Sequence, residues 1–262
     1  MAMRLLGARI IFFSLLLGGC SGLPVKDHAP PQPIDVSTIP DAVPRIEPLS
    51  KYGNKPSYQV NGTTYQVLAD ATGYSERGIA SWYGSKFHGQ RTSSGELYNM
   101  YAMTAAHRSL PLPCYARVTN LQNGHSVVVK INDRGPFHEH RLIDLSYAAA
   151  TKLDISANGT GMVEVRVIDA RENVAPTSVA TRSSDPPHLY VQLGAFAQAE
   201  NAQQLVDQLK THGFQPLILR AQLGAELMHR VRLGPLPSIE FADELVRKLL
   251  QLGFSQRRVV VE

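Results

Sequence analysis

Asp133 stands where an apolar run, Val127-Val128-Val129-Lys130-Ile131, gives way to Asn132-Asp133-Arg134-Gly135-Pro136. A carboxylate at the mouth of a strand, beside a Gly-Pro turn, occupies a place where catalytic groups concentrate. Upstream, Thr92-Ser93-Ser94-Gly95-Glu96 sets a second carboxylate next to a glycine turn, and Thr104-Ala105-Ala106-His107 supplies a histidine. Two carboxyls and an imidazole suit the cleavage of a sugar acetal, which needs a proton for the leaving oxygen and a base for the incoming nucleophile. Each residue also has a plainer reading: Asp133 as an Asx-turn cap, Glu96 as solvated surface, His107 as a hydrogen-bonded structural imidazole. His138-Glu139-His140 lacks the helical spacing of the usual zinc motif, so no metal and no cofactor is expected.

Short strands must position these groups. Apolar periodicity predicts strands at 79–83, 115–121, 126–131 and 162–168, with Asn123-Gly124 joining the second and third. Ser146 reads as the N-cap of one small helix over 147–153. Several short strands with one helix suggest a closed barrel. Ahead of them, 58–60 and 63–68 alternate around Asn61-Gly62 and predict a β-hairpin, taken as a flap on this domain. The barrel domain with its hairpin is placed at 58–170.

The ends of the chain set the compartment. Arg4 and Arg9 precede the apolar run from Ile10 to Leu17, and Leu17-Gly18-Gly19-Cys20 follows. The run is shorter than the roughly 20 apolar residues that span a bilayer, so 1–19 reads as a signal peptide and Cys20 as a lipidated first residue of the mature chain. Residues 20–57 carry Pro24, Pro30, Pro31, Pro33, Pro40, Pro44 and Pro48, and read as a tether. With two cysteines in all and Cys20 lipidated, Cys114 has no partner, so packed cores rather than a disulfide framework must hold the fold. The formal charge of the 262 residues is +4, and falls by two without Arg4 and Arg9, which gives no electrostatic argument for nucleic acid.

Residues 171–187 are Ser/Thr/Pro-rich and form a second linker. From 188 the pattern repeats: strand 189–195, helix 199–212, strand 215–221, then strand 228–233, helix 238–252, strand 257–261. That is a βαββαβ unit at 188–262, an α+β ferredoxin-like fold. Alternation sends Val191, Leu193, Val231 and Leu233 toward the helices and leaves Tyr190, Gln192, Arg230 and Arg232 on the open face of two central strands, a polar platform suited to sugar hydroxyls. A merely solvated sheet face fits the same alternation.

Taken together, Gly78-Ile79-Ala80-Ser81-Trp82-Tyr83-Gly84, Phe87-His88-Gly89, Thr92 to Tyr98, Thr104 to His107, Val118 to Leu121, Asn132 to Phe137 and Ile143-Asp144-Leu145-Ser146 resemble the rare lipoprotein A (RlpA) family. The resemblance implies an all-β double-psi β-barrel of six strands, related to expansins, and a lytic transglycosylase cutting between N-acetylmuramic acid and N-acetylglucosamine. It implies Asp133 as the acid/base with Glu96 and His107 at the family's other functional positions. Glu96 would then stabilise oxocarbenium-like charge or share the proton, His107 would orient a carboxylate or bind the sugar, and Ser81 and Tyr83 would line the groove, with Trp82 either there or in the core. Tyr190 to Phe196 and Arg230 to Pro235 look like a SPOR domain, with Leu236 where that family often has Phe; the expected sugar-binding residues are Tyr190, Gln192, Phe196, Arg230 and Arg232. The implied partner is peptidoglycan glycan stripped of stem peptides, reached from the periplasmic side of the outer membrane by the Cys20 lipid and enriched at the division septum. Rival readings are an expansin-like binder that does not cut and a muramidase that uses water.

Overall fold

Alternating β-branched residues build the first unit. The structure, a computed structural model, describes residues 27–31, 34–171, 186–224 and 226–262. In order come the hairpin strands β1 (Ser57–Val60) and β2 (Thr63–Gln66), then β3 (Ser75–Tyr83), β4 (Thr104–His107), β5 (Cys114–Asn120), β6 (Ser126–Asp133), β7 (Arg141–Ser146), helix α1 (Tyr147–Lys152) and β8 (Gly161–Ile168). The last six strands close into a barrel in the order β3-β7-β4-β6-β5-β8. The pairs β3/β7 and β4/β6 run parallel and the others antiparallel. Ala116, Val118, Val129, Ile131, Ile143, Leu145, Val163 and Val165 fill the interior without solvent contact. Ser146 caps α1 as expected, its Oγ accepting from the Ala149 amide at 3.2 Å. Cys114 lies against this core, and burial pushes its thiol up to about 12, so it is inert rather than reactive.

The predicted hairpin forms, with Asn61 at φ 49° and Gly62 at φ 80°, both in the left-handed region that a two-residue turn of this hand requires. Tyr58 stacks on Tyr65 at 5.4 Å and donates its hydroxyl hydrogen to the Arg108 carbonyl at 2.9 Å, which pins the hairpin beside β4.

The tether expectation needs correction over its described part. Residues 34–57 lie against the barrel as a strap: Ala42 and Asp41 bond both backbone groups of Val128, Glu47 bonds Tyr115 and Lys130, and Asn54 clasps Leu112 through its N–H and C=O groups at 2.8 and 2.6 Å. Prolines favoured an extended chain, and extended chain is also what can lie along a barrel wall and exchange hydrogen bonds with it. The signal segment 1–19, Cys20 and most of the linker 171–187 lie outside the described residues.

The second unit holds β9 (Leu189–Phe196), α2 (Ala199–Thr211), β10 (Leu217–Leu223), β11 (Glu226–Leu236), α3 (Ile239–Gln251) and β12 (Arg258–Val261), paired in the order β10-β11-β9-β12. Val191, Leu193, Val231 and Leu233 pack under the helices as alternation predicts. Two of the expected sugar-binding residues lie elsewhere. Arg232 is 2% exposed, because its Nε donates to Gln192 Oε1 at 3.0 Å and its Nη1 pairs with Glu262 at 2.7 Å. Phe196 folds its ring back over Gly194 and joins the core. Tyr190, Gln192 and Arg230 remain half-buried on the open face.

The two units touch. Ile79 of β3 packs with Leu189, Ile239, Ala242 and Val261 in one apolar cluster. Around it Arg141 pairs with Asp243, Arg257 with Glu139 at 2.9 Å, and Arg258 with Glu76 at 2.6 Å.

Candidate active site

Asp133 ends β6 and is gripped on one oxygen. Its Oδ1 accepts from the Ser93 amide at 2.8 Å, the Ser93 hydroxyl at 2.7 Å and the Arg134 amide at 2.7 Å. Three donors on Oδ1 fix the rotation of the carboxyl, and Oδ2 has no hydrogen-bond partner among the described residues. The Ser93 loop is itself tied to the strand end, since the Ser94 amide donates to the Asn132 carbonyl at 3.2 Å. The loop that brings Ser93 therefore carries Glu96 to the same place.

Glu96 is held by two donors. Asn132 Nδ2 reaches one oxygen at 2.7 Å and Lys130 Nζ the other at 2.8 Å, while Lys130 also pairs with Glu47 of the strap at 2.9 Å. Burial works to raise the Glu96 pKa, but the Asn132 and Lys130 contacts together outweigh it and leave the pKa below the usual carboxylate value. Glu96 is thus a fixed negative charge. Lys130 was legible in the sequence only as a strand residue and Asn132 only as part of the Asn132 to Phe137 motif with no role of its own; the structure places both on Glu96.

Arg134 turns the other way and clasps the site from behind. Its guanidinium donates to the carbonyls of Gly53, His107 and Leu110, so the strap, the end of β4 and the Asp133 turn are held by one planar group. Asn54, already tied to Leu112, thereby becomes a supporting residue that sequence reading left in the tether. Gly135 follows at φ 140°, where any side chain is strained, and a Cβ there would come within 3.9 Å of Asp144 Oδ2. Asp144 is a third, half-buried carboxyl near Gly135; burial raises its pKa, against the hydrogen bond from Ser81.

The structure buries His107 and Tyr83 and leaves Ser81 half-buried beside Asp144. His107 is 2% exposed, and its Nδ1 accepts from the amides of Ser109 and Leu110 at 3.2 and 3.1 Å. Nε2 must then carry the proton and faces the Tyr74 hydroxyl at 3.1 Å, which in turn donates to Glu76. Burial first, then Arg108 and Arg134, lower its pKa to about 3, so the ring is neutral. It neither meets a site carboxylate nor reaches solvent to bind sugar; it shapes the turn whose carbonyls Arg134 holds. Ser81 commits its hydroxyl to Asp144. Tyr83 stacks on Tyr98 at 4.1 Å and is buried, its hydroxyl without a partner. Trp82 packs edge-on to Tyr147 and belongs to the core.

Comparison with known proteins decides the family. Residues 75–167 match a family model described as lytic transglycolase, and residues 185–257 match the SPOR domain. The endolytic peptidoglycan transglycosylase RlpA of Vibrio cholerae is 40% identical over 92% of this chain and 91% of its own. The chain belongs to the RlpA family. The RlpA of Pseudomonas aeruginosa strain UCBPP-PA14 is 40% identical over 86% of this chain and 80% of its own. The crystal structure of an RlpA SPOR domain from Pseudomonas aeruginosa aligns with 28% of this chain and 96% of its own, at 29% identity and a TM-score of 0.26. The barrel and the βαββαβ unit are thus the two modules of an RlpA protein, and the gripped Asp133 lies in the first of them.

Proposed function

We propose that this RlpA protein is an endolytic peptidoglycan transglycosylase that cuts the N-acetylmuramic acid to N-acetylglucosamine bond with Asp133 as its single acid/base. The observation that carries the reading is the asymmetry of Asp133, three donors on Oδ1 and none on Oδ2. Protonated Oδ2 donates to the leaving glycosidic oxygen. Once ionised, the same oxygen accepts the proton of the muramic acid C6 hydroxyl as that oxygen closes on C1, giving a 1,6-anhydro end without water. Glu96, kept ionised by Lys130 and Asn132, stabilises the positive charge that develops at C1. The substrate is glycan lacking stem peptides, the SPOR unit directs the enzyme to the septum, and a lipid on Cys20 holds it to the outer membrane, where its cutting helps daughter cells separate.

Asp133→Asn tests this directly. The amide oxygen still accepts from Ser93 and Arg134, so the fold persists, while cleavage of peptide-free glycan strands falls about 100-fold or more. Mass spectrometry of the products reads anhydro ends for a transglycosylase and reducing ends for a hydrolase. Undiminished cutting by a folded Asp133→Asn protein would overturn the assignment.

A further inference from the structure

A groove of about 460 Å³ opens where the hairpin, the β6–β7 loop and the SPOR unit meet. The loop is the one that begins at Asp133 and continues through Phe137 to His140, so the groove shares an element with the catalytic turn. Tyr65 and Phe137 line one part, with ring centres 5.6 Å apart, and Phe137 is 39% exposed. Arg108, His138, His140 and, from the SPOR unit, Arg257 line the rest. Aromatic surface beside cationic donors is what an acidic sugar requires.

Two polar atoms in this lining are buried and unsatisfied. The Arg257 side chain is 6% exposed; it spends Nη1 on the Ser255 carbonyl and Nη2 on Glu139, while Nε has no partner. The His140 side chain is 10% exposed; its Nε2 makes no hydrogen bond and lies 3.5 Å from Glu139 Oε2. His140 sits at φ 67°, a conformation costly for a residue with a side chain, so the loop is strained to hold the ring there. Buried polar atoms without hydrogen-bond partners are rare in folded proteins and call for an explanation. Arg108 spends Nη2 on the Arg141 carbonyl at 2.7 Å, with no other guanidinium partner among the described residues. Against these two arginines the lining offers one carboxylate, Glu139, which pairs with Arg257 and lies 3.5 Å from His140 Nε2.

We propose that this groove is a second glycan subsite, completed only when the SPOR unit docks, in which Arg257 and Arg108 bind the lactyl carboxylate of a muramic acid residue. That carboxylate is free only where the stem peptide has been removed; in an intact strand it is an amide. The groove therefore makes the enzyme selective for peptide-free strands at the catalytic module itself. The inference rests on the function proposed above in taking peptidoglycan glycan as the ligand.

The experiment compares two preparations of peptide-free strands, one with free lactyl carboxylates and one with these converted to methylamides. Binding is measured by co-sedimentation with the full chain carrying Asp133→Asn, so that the groove is read without cutting. Cleavage by the chain with Asp133 intact is measured in parallel. The carboxylate strands are expected to bind about tenfold more tightly than the methylamides. Arg257→Gln and Arg108→Gln each narrow that gap to about twofold or less. Because Arg257→Gln also breaks a contact between the units, Thr63→Glu provides a second route: this exposed hairpin residue lines the groove and an added charge there repels the carboxylate strands selectively. Equal binding of both preparations, or an unchanged preference in the Arg257→Gln and Thr63→Glu proteins, overturns the subsite. A preserved binding preference with no cleavage of either preparation instead overturns the enzymatic reading and leaves the subsite standing.

Discussion

At the scale of single residues, the site works by committing atoms. Asp133 has one oxygen saturated and the other open, and Glu96 is neutralised in part by Lys130 without losing its charge. A carboxyl whose folded pKa is depressed contributes stability above its unfolded value, and loses it as pH falls through the folded value. Glu96 is therefore expected to contribute acid sensitivity below pH about 4.3. Glu96→Gln should flatten the stability-versus-pH curve in that range, as followed by thermal melting. His107 acts at higher pH. Its folded pKa near 3 lies below the ordinary imidazole value of 6.5, so the unfolded chain takes up the proton first and stability is lost progressively as pH falls between those values. The slope should approach ~1.4 kcal/mol per pH unit in urea titrations. His107→Asn, whose side-chain oxygen can still accept from the Ser109 and Leu110 amides, removes this slope and should retain more activity than His107→Ala. Equal inactivation by both would argue for a role beyond shaping the turn.

At the scale of elements, the strap changes what the proline-rich segment means. Asn54 satisfies both the amide and the carbonyl of Leu112, and Gly53 accepts two bonds from Arg134. Removing the Asn54 side chain leaves these groups without partners in a partly buried setting, which costs about 2 kcal/mol. Asn54→Ala is expected to lower the unfolding free energy by that amount and to make the 34–57 segment a target of limited proteolysis. An unchanged digestion pattern would show that the strap is held by its other bonds. The short strands β4 and β7 are the elements that sequence reading did not delimit, although their residues stood out as motifs. Four and six residues give too little alternation to distinguish a buried strand from a loop.

At the scale of the whole molecule, the barrel and the SPOR unit are packed against each other. Arg141 is 7% exposed and pairs with Asp243 of α3 through both terminal nitrogens. Asp243→Ala strands that guanidinium at the interface, at a cost of about 3 kcal/mol. Undocking is the expected response, read as a larger radius of gyration by small-angle scattering and as separate melting of the two units. An unchanged radius would mean that the apolar cluster around Ile79 suffices alone.

The order of modules, the hairpin turn, the βαββαβ unit and the residues Asp133 and Glu96 were all set out in the chain itself. They depend on local periodicity, on turn chemistry and on motifs contiguous in sequence. What the tertiary structure alone decided is where each side chain spends its hydrogen bonds. His107 and Asp133 end neighbouring parallel strands, yet one ring faces Tyr74 while the other group faces the Ser93 loop. Arg232 alternates onto an open face but is covered by Glu262, a residue thirty positions on. Arg257 and Arg108 share a groove because two units pack together. Such pairings join residues far apart in the chain, and alternation specifies a face, never the partner that waits there.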